Sequence, residues 1–191
     1  MARVIADSLL ESAHRLVAAH LFDGATAIDG TVGNGHDTRF LAQAVGATGR
    51  VLGFDVQAKA LEKTRQLLHV HALSVDVRLF HEGHERLAAR LAAEGITQID
   101  AAMFNLGYLP GSDKRCTTRP DTTLVALQAA LAHLAEGGVL TAMLYHGHSG
   151  ADDEAEAVLA WARALPRRPW QATMIQPLQS PQAPTLLVVT R

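Results

Sequence analysis

The sequence predicts an α/β fold: a seven-stranded, mostly parallel sheet that ends in an antiparallel hairpin and carries helices on both faces. From residue 26 onward, short β-rich runs alternate with longer helical patterns, which is typical of βαβ units. The last two β-rich runs are joined by residues 177–184, a segment with three prolines and no helical periodicity. At 191 residues and 48% hydrophobic content, the chain is long enough to bury a full core. We therefore expect a single domain over 1–191.

Each predicted strand is a short β-rich run bounded by turn residues. The seven strands are expected at 26–31, 50–56, 75–80, 99–106, 139–146, 171–177 and 186–190. Helices are expected between them at 36–45, 58–72, 85–93, 122–135 and 152–165. A leading amphipathic helix is expected over about 7–21, packed on the domain, because Ser8 and Glu11 have the spacing of a capping box.

Composition excludes several classes of protein. The formal net charge of −2 provides no overall field that would attract nucleic acid or membrane, so any RNA contact must come from a local patch. No apolar run reaches the ~18 residues that a membrane span requires, and the N-terminus lacks the apolar core of a signal peptide. With Cys116 as the single cysteine, a reducing, cytoplasmic location is expected.

A glycine-rich motif follows the first strand, reading D-G-T-V-G-N-G-H over 29–36. Ligands of open α/β sheets bind beyond the carboxyl ends of the strands, and Gly33 and Gly35 allow close backbone approach there. The Asp29 carboxylate suits the cationic S-adenosylmethionine (SAM) better than a pyrophosphate, and Asp55 can accept hydrogen bonds from ribose hydroxyls. A full G-x-G-x-x-G is lacking because Thr38 occupies its last position. SAM is therefore favoured over a nicotinamide cofactor, and a turn that binds nothing stays an alternative.

Polar residues also follow the third strand, which ends in H-E-G-H over 81–84. Glu82 or His84 could contact the adenine of the cofactor, and a solvated loop is an equal alternative. The predicted topology itself, a Rossmann-like parallel sheet with a terminal antiparallel hairpin, is the layout of class I SAM methyltransferases.

The fourth strand ends in N-L-G-Y over 105–108. The side-chain oxygen of Asn105 and the carbonyl of Leu106 could accept hydrogen bonds from an amine and aim its lone pair at a methyl group, while Tyr108 stacks on the base. A turn cap and a core aromatic are the structural alternatives for Asn105 and Tyr108. This end of the sheet is the predicted place of the chemistry.

Basic residues and histidines complete the candidate site. Lys114, Arg115 and Arg119 suit phosphates beside a flipped base, although a solvated charged loop is the alternative. His146 and His148, after the fifth strand, could orient a base or accept a proton. The histidine pairs at 69 and 71 and at 146 and 148 lack a third ligand, so no metal site is predicted.

Four motifs together resemble one family along almost the whole chain: D-G-T-V-G-N-G-H-D-T, F-N-L-G-Y-L-P-G-S-D-K, T-T-R-P-D-T-T-L and Y-H-G-H. They are similar to the rRNA methylases of the YtqB type, now called MnmM, which convert 5-aminomethyl-2-thiouridine at the wobble position of tRNA into 5-methylaminomethyl-2-thiouridine. The resemblance implies SAM as cofactor, S-adenosylhomocysteine (SAH) as product, and the anticodon region of tRNA as partner. The N-L-G-Y motif of this sequence has Leu106 where the wider amine methyltransferases have the first proline of N-P-P-Y. Ser112 occupies a position at which the family often has glycine.

The resemblance also implies roles for individual residues. Around the cofactor it places Asp29, Gly33, Asn34, Gly35 and Asp55, and the predicted cofactor site also includes Thr31, Gln57, Glu82 and His84. At the target amine it places Asn105, Leu106 and Tyr108. On the substrate side it places Asp113, Lys114, Thr117, Thr118 and Thr122, and the basic residues and histidines of the candidate site add Arg115, Arg119, His146 and His148 to the predicted substrate site. A homodimer is a further expectation, and the rival functions are a small-molecule amine or hydroxyl methyltransferase and a non-catalytic SAM-binding protein.

Overall fold

The computed structural model describes residues 8–71, 73–107, 117–146, 151–180 and 183–191. Its strands are β1 (Thr26–Asp29), β2 (Arg50–Phe54), β3 (Asp76–Phe80), β4 (Ile99–Leu106), β5 (Leu134–Leu144), β6 (Gln171–Ile175) and β7 (Thr185–Thr190). Its helices are α1 (Leu9–Ala18), α2 (His36–Ala44), α3 (Ala58–Val70), α4 (Leu87–Ala93), α5 (Pro120–His133) and α6 (Ala151–Ala164).

The seven strands form one sheet in the order β3-β2-β1-β4-β5-β7-β6. Strands β1 to β5 are mutually parallel, and β7 lies antiparallel between β5 and β6. Asp29 at the end of β1 is level with Gly53 of β2 and Met103 of β4. The predicted fold class and the terminal hairpin are thus confirmed, and the register brings the ends of β1, β2 and β4 to one edge.

Two cores cover the two faces of the sheet. On one face, buried side chains of α4, α5 and α6 pack on strand residues such as Ile28 and Phe104. On the other face, Ala13 and Val17 of α1 and Leu41 of α2 pack on the opposite side of the same strands. The expected leading helix therefore packs on the sheet, where it can bring its own side chains to the sheet's edge. None of the helices in the described ranges is long and apolar enough to cross a membrane.

Element boundaries differ from prediction most at the junction of α5 and β5. The sequence predicted a helix to 135 and a strand from 139, but α5 ends at His133 and β5 begins at Leu134. Leu134 is fully buried and pairs with Ile99, so burial of its side chain outweighs helix propensity. The register shift between Ile99 and Ala101 accommodates the residues that follow. The helix predicted over 85–93 is also divided, because a 3-10 turn at His84–Arg86 precedes α4.

Candidate active site

A cavity of about 750 Å³ opens at the carboxyl ends of β1, β2, β4 and β5. This volume lies within the range of small-molecule sites, roughly 300–1,000 Å³. Twelve of the predicted site residues line it: Thr31, Gly33, Asn34, Asp55, Gln57, Glu82, His84, Asn105, Thr117, Thr118, Arg119 and His146. Residues that lie more than a hundred positions apart in the sequence thus line one cavity, as expected for an open α/β sheet.

Asp29 lies behind the wall of the cavity, which corrects the expectation that its carboxylate faces the cofactor. The side chain is fully buried and is not part of the cavity lining. One of its oxygens accepts a hydrogen bond from Thr38 Oγ1 at 2.6 Å and the other from the Thr31 backbone N–H at 3.0 Å. Burial, and then the nearby charge of Asp37, raise the pKa of Asp29 to about 7. Its role in this structure is to hold the glycine loop.

Gly35 and Leu106 are also set back from the cavity lining. Gly35 is buried with φ +80°, and a Cβ there would lie 2.5 Å from Thr64 Oγ1, so this glycine lets the loop pack on α3. The Leu106 side chain is 2% exposed and belongs to the core. The role expected of its backbone carbonyl stays a prediction.

Asp55 is the acidic residue that faces the cavity at the cofactor end. Its Oδ2 accepts from the Gly33 N–H and its Oδ1 from the Gln57 N–H, each at 2.8 Å. Each carboxylate oxygen has a second acceptor position, so the side chain is held in place and can still accept two hydroxyl groups. This geometry, with the glycine loop beside it, fits the ribose and methionine portions of SAM.

Glu82 and His84 line the cavity at the end of β3, each fixed by a partner. Arg90 donates through Nε to Glu82 Oε2 at 2.9 Å and through Nη2 to Oε1, and this ion pair lowers the pKa of Glu82. His84 is 7% exposed and donates from Nδ1 to the Gly30 carbonyl at 3.1 Å, since a carbonyl can only accept. Burial lowers the pKa of His84, so its ring is neutral at pH 7. Contact of either with the adenine stays a prediction.

Asn105 is held by two partners, and one of them is bonded in turn to α1. Its backbone N–H donates to Thr31 Oγ1 at 2.7 Å, and its Nδ2 donates to Asp37 Oδ2. The other Asp37 oxygen is 2.6 Å from His14 Nε2, and the His14 ring stacks on Phe40 with centroids 4.1 Å apart. Because a carboxylate can only accept, the orientation of the Asn105 amide is determined, and its Oδ1 has no hydrogen-bond partner among the described residues.

His14 and Asp37 were missed by sequence reasoning. Asp37 follows the glycine motif directly, and an acidic residue in the first turn of a helix is normally assigned to the helix dipole. His14 is on α1, outside every motif, and no sequence signal connects it to the site. Asp37 lines the cavity with 5% side-chain exposure.

A buried carboxylate on α6 connects the end of β4 to residues at the start of α5. Gly107, whose φ of +147° favours glycine, donates its N–H to Thr118 Oγ1 at 2.8 Å. Thr118 Oγ1 in turn donates to Glu154 Oε2, and Thr123 Oγ1 donates to Glu154 Oε1, both at 2.6 Å. Glu154 is 3% exposed. Sequence reasoning missed it, because an acidic residue in the first turn of a helix is expected to be exposed to solvent.

The remaining predicted substrate residues lie at the rim or outside the described ranges. Arg119 is 66% exposed and pairs with Asp121 at 2.9 Å. His146 contacts Thr185 Oγ1 at 3.1 Å and Asp152 Oδ1 at 3.3 Å. Tyr145, another missed lining residue, has its pKa raised by burial and by the charge of Asp37. The predicted residues Tyr108, Asp113, Lys114, Arg115 and His148 lie outside the described part of the chain. Within that part, no cluster of three or more His, Cys, Asp or Glu could hold a metal ion.

Comparison with known proteins agrees with this geometry. The model of the family described as "Putative rRNA methylase" matches residues 51–191. A relative from Arabidopsis thaliana, named "tRNA (mnm(5)s(2)U34)-methyltransferase, chloroplastic", is 37% identical over 93% of this chain and 67% of its own length.

Two solved structures are similar over nearly their full length. One is titled as a "putative rRNA-methylase" from Clostridium thermocellum; it is 33% identical, covers 98% of this chain and 99% of its own, and has a TM-score of 0.92. The other is titled as a "putative methyltransferase" from Streptococcus mutans in complex with SAH; it is 34% identical, covers 97% and 98%, and has a TM-score of 0.84. The chain therefore belongs to the family described as "Putative rRNA methylase", and it is a SAM-dependent methyltransferase.

Proposed function

We propose that this protein methylates the exocyclic amine of 5-aminomethyl-2-thiouridine at wobble position 34 of tRNA, forming 5-methylaminomethyl-2-thiouridine. The observation that carries the proposal is the orientation of Asn105. Its Nδ2 donates to Asp37 and the residue lines the cavity, so we assign its Oδ1, which has no partner among the described residues, as the acceptor for an N–H donor. An acceptor at the end of β4, across the cavity from Asp55, suits an amine that must approach a bound methyl donor.

The relative from Arabidopsis thaliana supports the choice of substrate. Its name specifies a methyltransferase for the modified uridine at position 34 of tRNA, and the 37% identity extends over 93% of this chain. The N-L-G-Y motif that contains Asn105 lies in the region matched by the family model.

Each half of the cavity has its own task in this reaction. Asp55 binds the ribose hydroxyls, and the loop of Gly33 and Asn34 surrounds the methionine portion. Bound SAM supplies a methyl group on a cationic sulfonium sulfur. Asn105 orients the lone pair of the amine toward that methyl group, so that positioning contributes most of the rate. Tyr108, outside the described residues, would stack on the base.

Contact with the anticodon region depends on local charges, because the net charge of −2 gives no general attraction to RNA. At the rim, Arg119 lines the cavity, and Lys63 Nζ lies 3.2 Å from Asn34 Oδ1. Lys114 and Arg115 are the further candidates for phosphate contacts. A cytoplasmic location and a homodimer, which would double the contact area available to one tRNA, remain predictions from the sequence.

The deciding experiment incubates the protein and labelled SAM with tRNA that carries unmethylated aminomethyl uridine, followed by digestion and mass spectrometry of the nucleosides. We expect a methylaminomethyl product. An unmodified transcript of the same tRNA is the matched control and should accept no label. Label on the control, or none on either RNA despite demonstrated SAM binding, would overturn the proposal.

A small-molecule amine or hydroxyl methyltransferase is the second candidate, favoured by the net charge of −2. The two candidates differ in how they respond to salt. Binding of tRNA through phosphates weakens steeply as salt rises, whereas binding of a free nucleoside hardly changes. A kcat/KM for the free nucleoside equal to that for tRNA would favour the second candidate.

A further inference from the structure

Three side chains form a continuous hydrogen-bonded chain from the surface to the cavity. His14, with 24% of its side chain exposed, contacts Asp37 at 2.6 Å, and Asp37 accepts from Asn105. We infer that Asp37 is the group that removes a proton from the substrate amine and that His14 carries this proton to solvent. This inference rests on the proposed function, because it requires an amine as substrate.

An alkyl amine needs such a group at neutral pH. Like the lysine side chain, whose pKa is about 10.4, it is almost entirely protonated at pH 7. The protonated nitrogen has no lone pair and cannot attack a methyl group. A correctly placed general base typically contributes about 10²–10⁴-fold to the rate. The cavity should therefore contain an acceptor next to the amine.

The position of Asp37 meets this requirement. Its carboxylate lines the cavity and is bonded to the same Asn105 amide whose Oδ1 remains available. An amine that donates one hydrogen to Asn105 Oδ1 therefore lies beside the Asp37 carboxylate and can donate a second hydrogen to it. Although the side chain is only 5% exposed, its other oxygen is connected outward through His14.

The transfer releases one proton overall. The substrate ammonium gives a proton to Asp37, and the freed lone pair of the nitrogen forms a bond to the methyl carbon while the C–S bond breaks and its electron pair stays on sulfur. The product is a protonated secondary amine. Asp37 passes its proton to Nε2 of His14 in the tautomer that carries hydrogen on Nδ1, and the Nδ1 proton leaves to water. With Asp37 ionised, the 2.6 Å contact is Nε2–H of His14 donating to the carboxylate, and with Asp37 protonated the carboxyl O–H donates to Nε2 of the Nδ1–H tautomer, so the ring exchanges its proton with water between turnovers.

Other titratable groups near Asp37 determine which pH range is informative. Asp37 is faced by His14 from α1, by Asp29 from β1 and by Tyr145 after β5, while β4 contributes the uncharged Asn105. Its neighbour on α2, His36, lines the cavity mouth. The pKa of Asp29 is about 7 and that of Tyr145 is raised above 10. Between pH 8 and 9.5 both groups largely keep their charge. A change of rate with pH in this range therefore reports the protonation of the substrate amine.

The test compares the wild-type protein with Asp37→Asn in single-turnover methylation of aminomethyl-uridine tRNA. Asparagine keeps an oxygen for the Asn105 amide but accepts no proton. We expect the variant to be about 100-fold slower at pH 8. The deficit should shrink about tenfold by pH 9.5, because more of the amine is then already neutral in solution. SAM affinity by calorimetry and the thermal unfolding temperature should match those of the wild-type protein.

Two histidine variants complete the experiment. His14→Phe keeps the stacking on Phe40 and should show a smaller deficit with the same pH dependence. His20→Phe is the matched control, because His20 follows α1, its Nδ1 bonds to the Gly137 carbonyl, and it is not part of the cavity lining. It should methylate at the wild-type rate.

The outcomes separate the two proposals. An Asp37→Asn deficit that is equal at every pH would reduce Asp37 to a positioning residue and overturn the inference, and so would the absence of a deficit. Full activity of His14→Phe would remove His14 from the proton path and overturn that part of it. A wild-type protein that transfers no methyl group to the amine would overturn the proposed function together with this inference.

Discussion

The two halves of the cavity are held in place by different kinds of contact. In the cofactor half, Asp55 binds the backbone N–H groups of Gly33 and Gln57, all within the first βαβ unit. In the substrate half, side chains bind other side chains from different elements, as in the contacts of Asn105 with Asp37 and of Thr118 with Glu154. The cofactor half is thus built by local chain geometry, and the substrate half by packing of remote helices on the sheet.

This difference predicts how each half responds to the substitution of a side chain. Backbone N–H groups stay in place when one side chain is replaced, so the cofactor half should lose affinity without losing its shape. A buried carboxylate that accepts two hydroxyl groups cannot be removed without leaving those groups unpaired. Removal of Glu154 from the substrate half should therefore lower stability as well as activity.

The largest effect is expected from Glu154→Ala, which removes the acceptor of both Thr118 and Thr123. The buried Thr123 hydroxyl and the half-buried Thr118 hydroxyl lose this acceptor and a cavity is left, so the free energy of unfolding should fall by about 3 kcal/mol. Urea denaturation measures this loss. Glu154→Gln keeps one acceptor oxygen and should lose less than half as much. Equal stability of all three proteins would contradict the anchoring role.

Asn105→Ala tests the substrate half without removing a buried charge. We expect turnover to fall about 100-fold, the scale of a lost positioning contact, while SAM affinity stays unchanged. Turnover and calorimetric binding are measured on the same preparation. Near-normal turnover would show that the Asn105 oxygen does not orient the amine.

Asp55→Ala tests the cofactor half. Loss of the carboxylate should weaken SAM binding about 10- to 100-fold, the scale of one hydrogen bond to a charged group, which is worth about 1.5–3 kcal/mol. Asp55→Asn keeps one acceptor oxygen, and its affinity for SAM should lie between those of Asp55→Ala and the wild-type protein. Unchanged calorimetric affinity for Asp55→Ala would remove Asp55 from the ribose role.

The smallest effect is expected from Asp29→Asn and depends on pH. Because folding raises the pKa of Asp29 from 3.8 to about 7, the protonated carboxyl is favoured in the folded state. The stabilisation that this raised pKa gives the folded state is fully present below about pH 4 and is lost as the pH rises through 7. Relative to Asp29→Asn, the wild-type protein should lose about 1 kcal/mol of unfolding free energy between pH 6 and 7.5. A pH-independent difference in urea denaturation would contradict this.

Sequence reasoning succeeded where neighbouring residues specify the structure. The alternation of strands and helices predicted the sheet, and Asp55 and Asn105 were found because each lies at or next to the end of a predicted strand. It did not anticipate that Asp29 is fully buried, with its carboxylate bonded to Thr38 Oγ1 and the Thr31 N–H. A strand end places a residue at an edge, but the rotamer depends on which hydrogen-bond donors lie nearby.

The order of amino acids alone specified the α/β architecture, the cofactor edge and the polar residue at the end of β4, because these depend on hydrophobic periodicity and on short motifs. The partners of that residue depended on packing. His14 and Asp37 are 23 residues apart, Asp37 and Asn105 are 68 apart, and Thr118 and Glu154 are 36 apart. Such pairs form only when α1 and α6 dock on opposite faces of the sheet. No local pattern encodes them, since burial of each helix's apolar face determines which polar side chains reach the cavity edge.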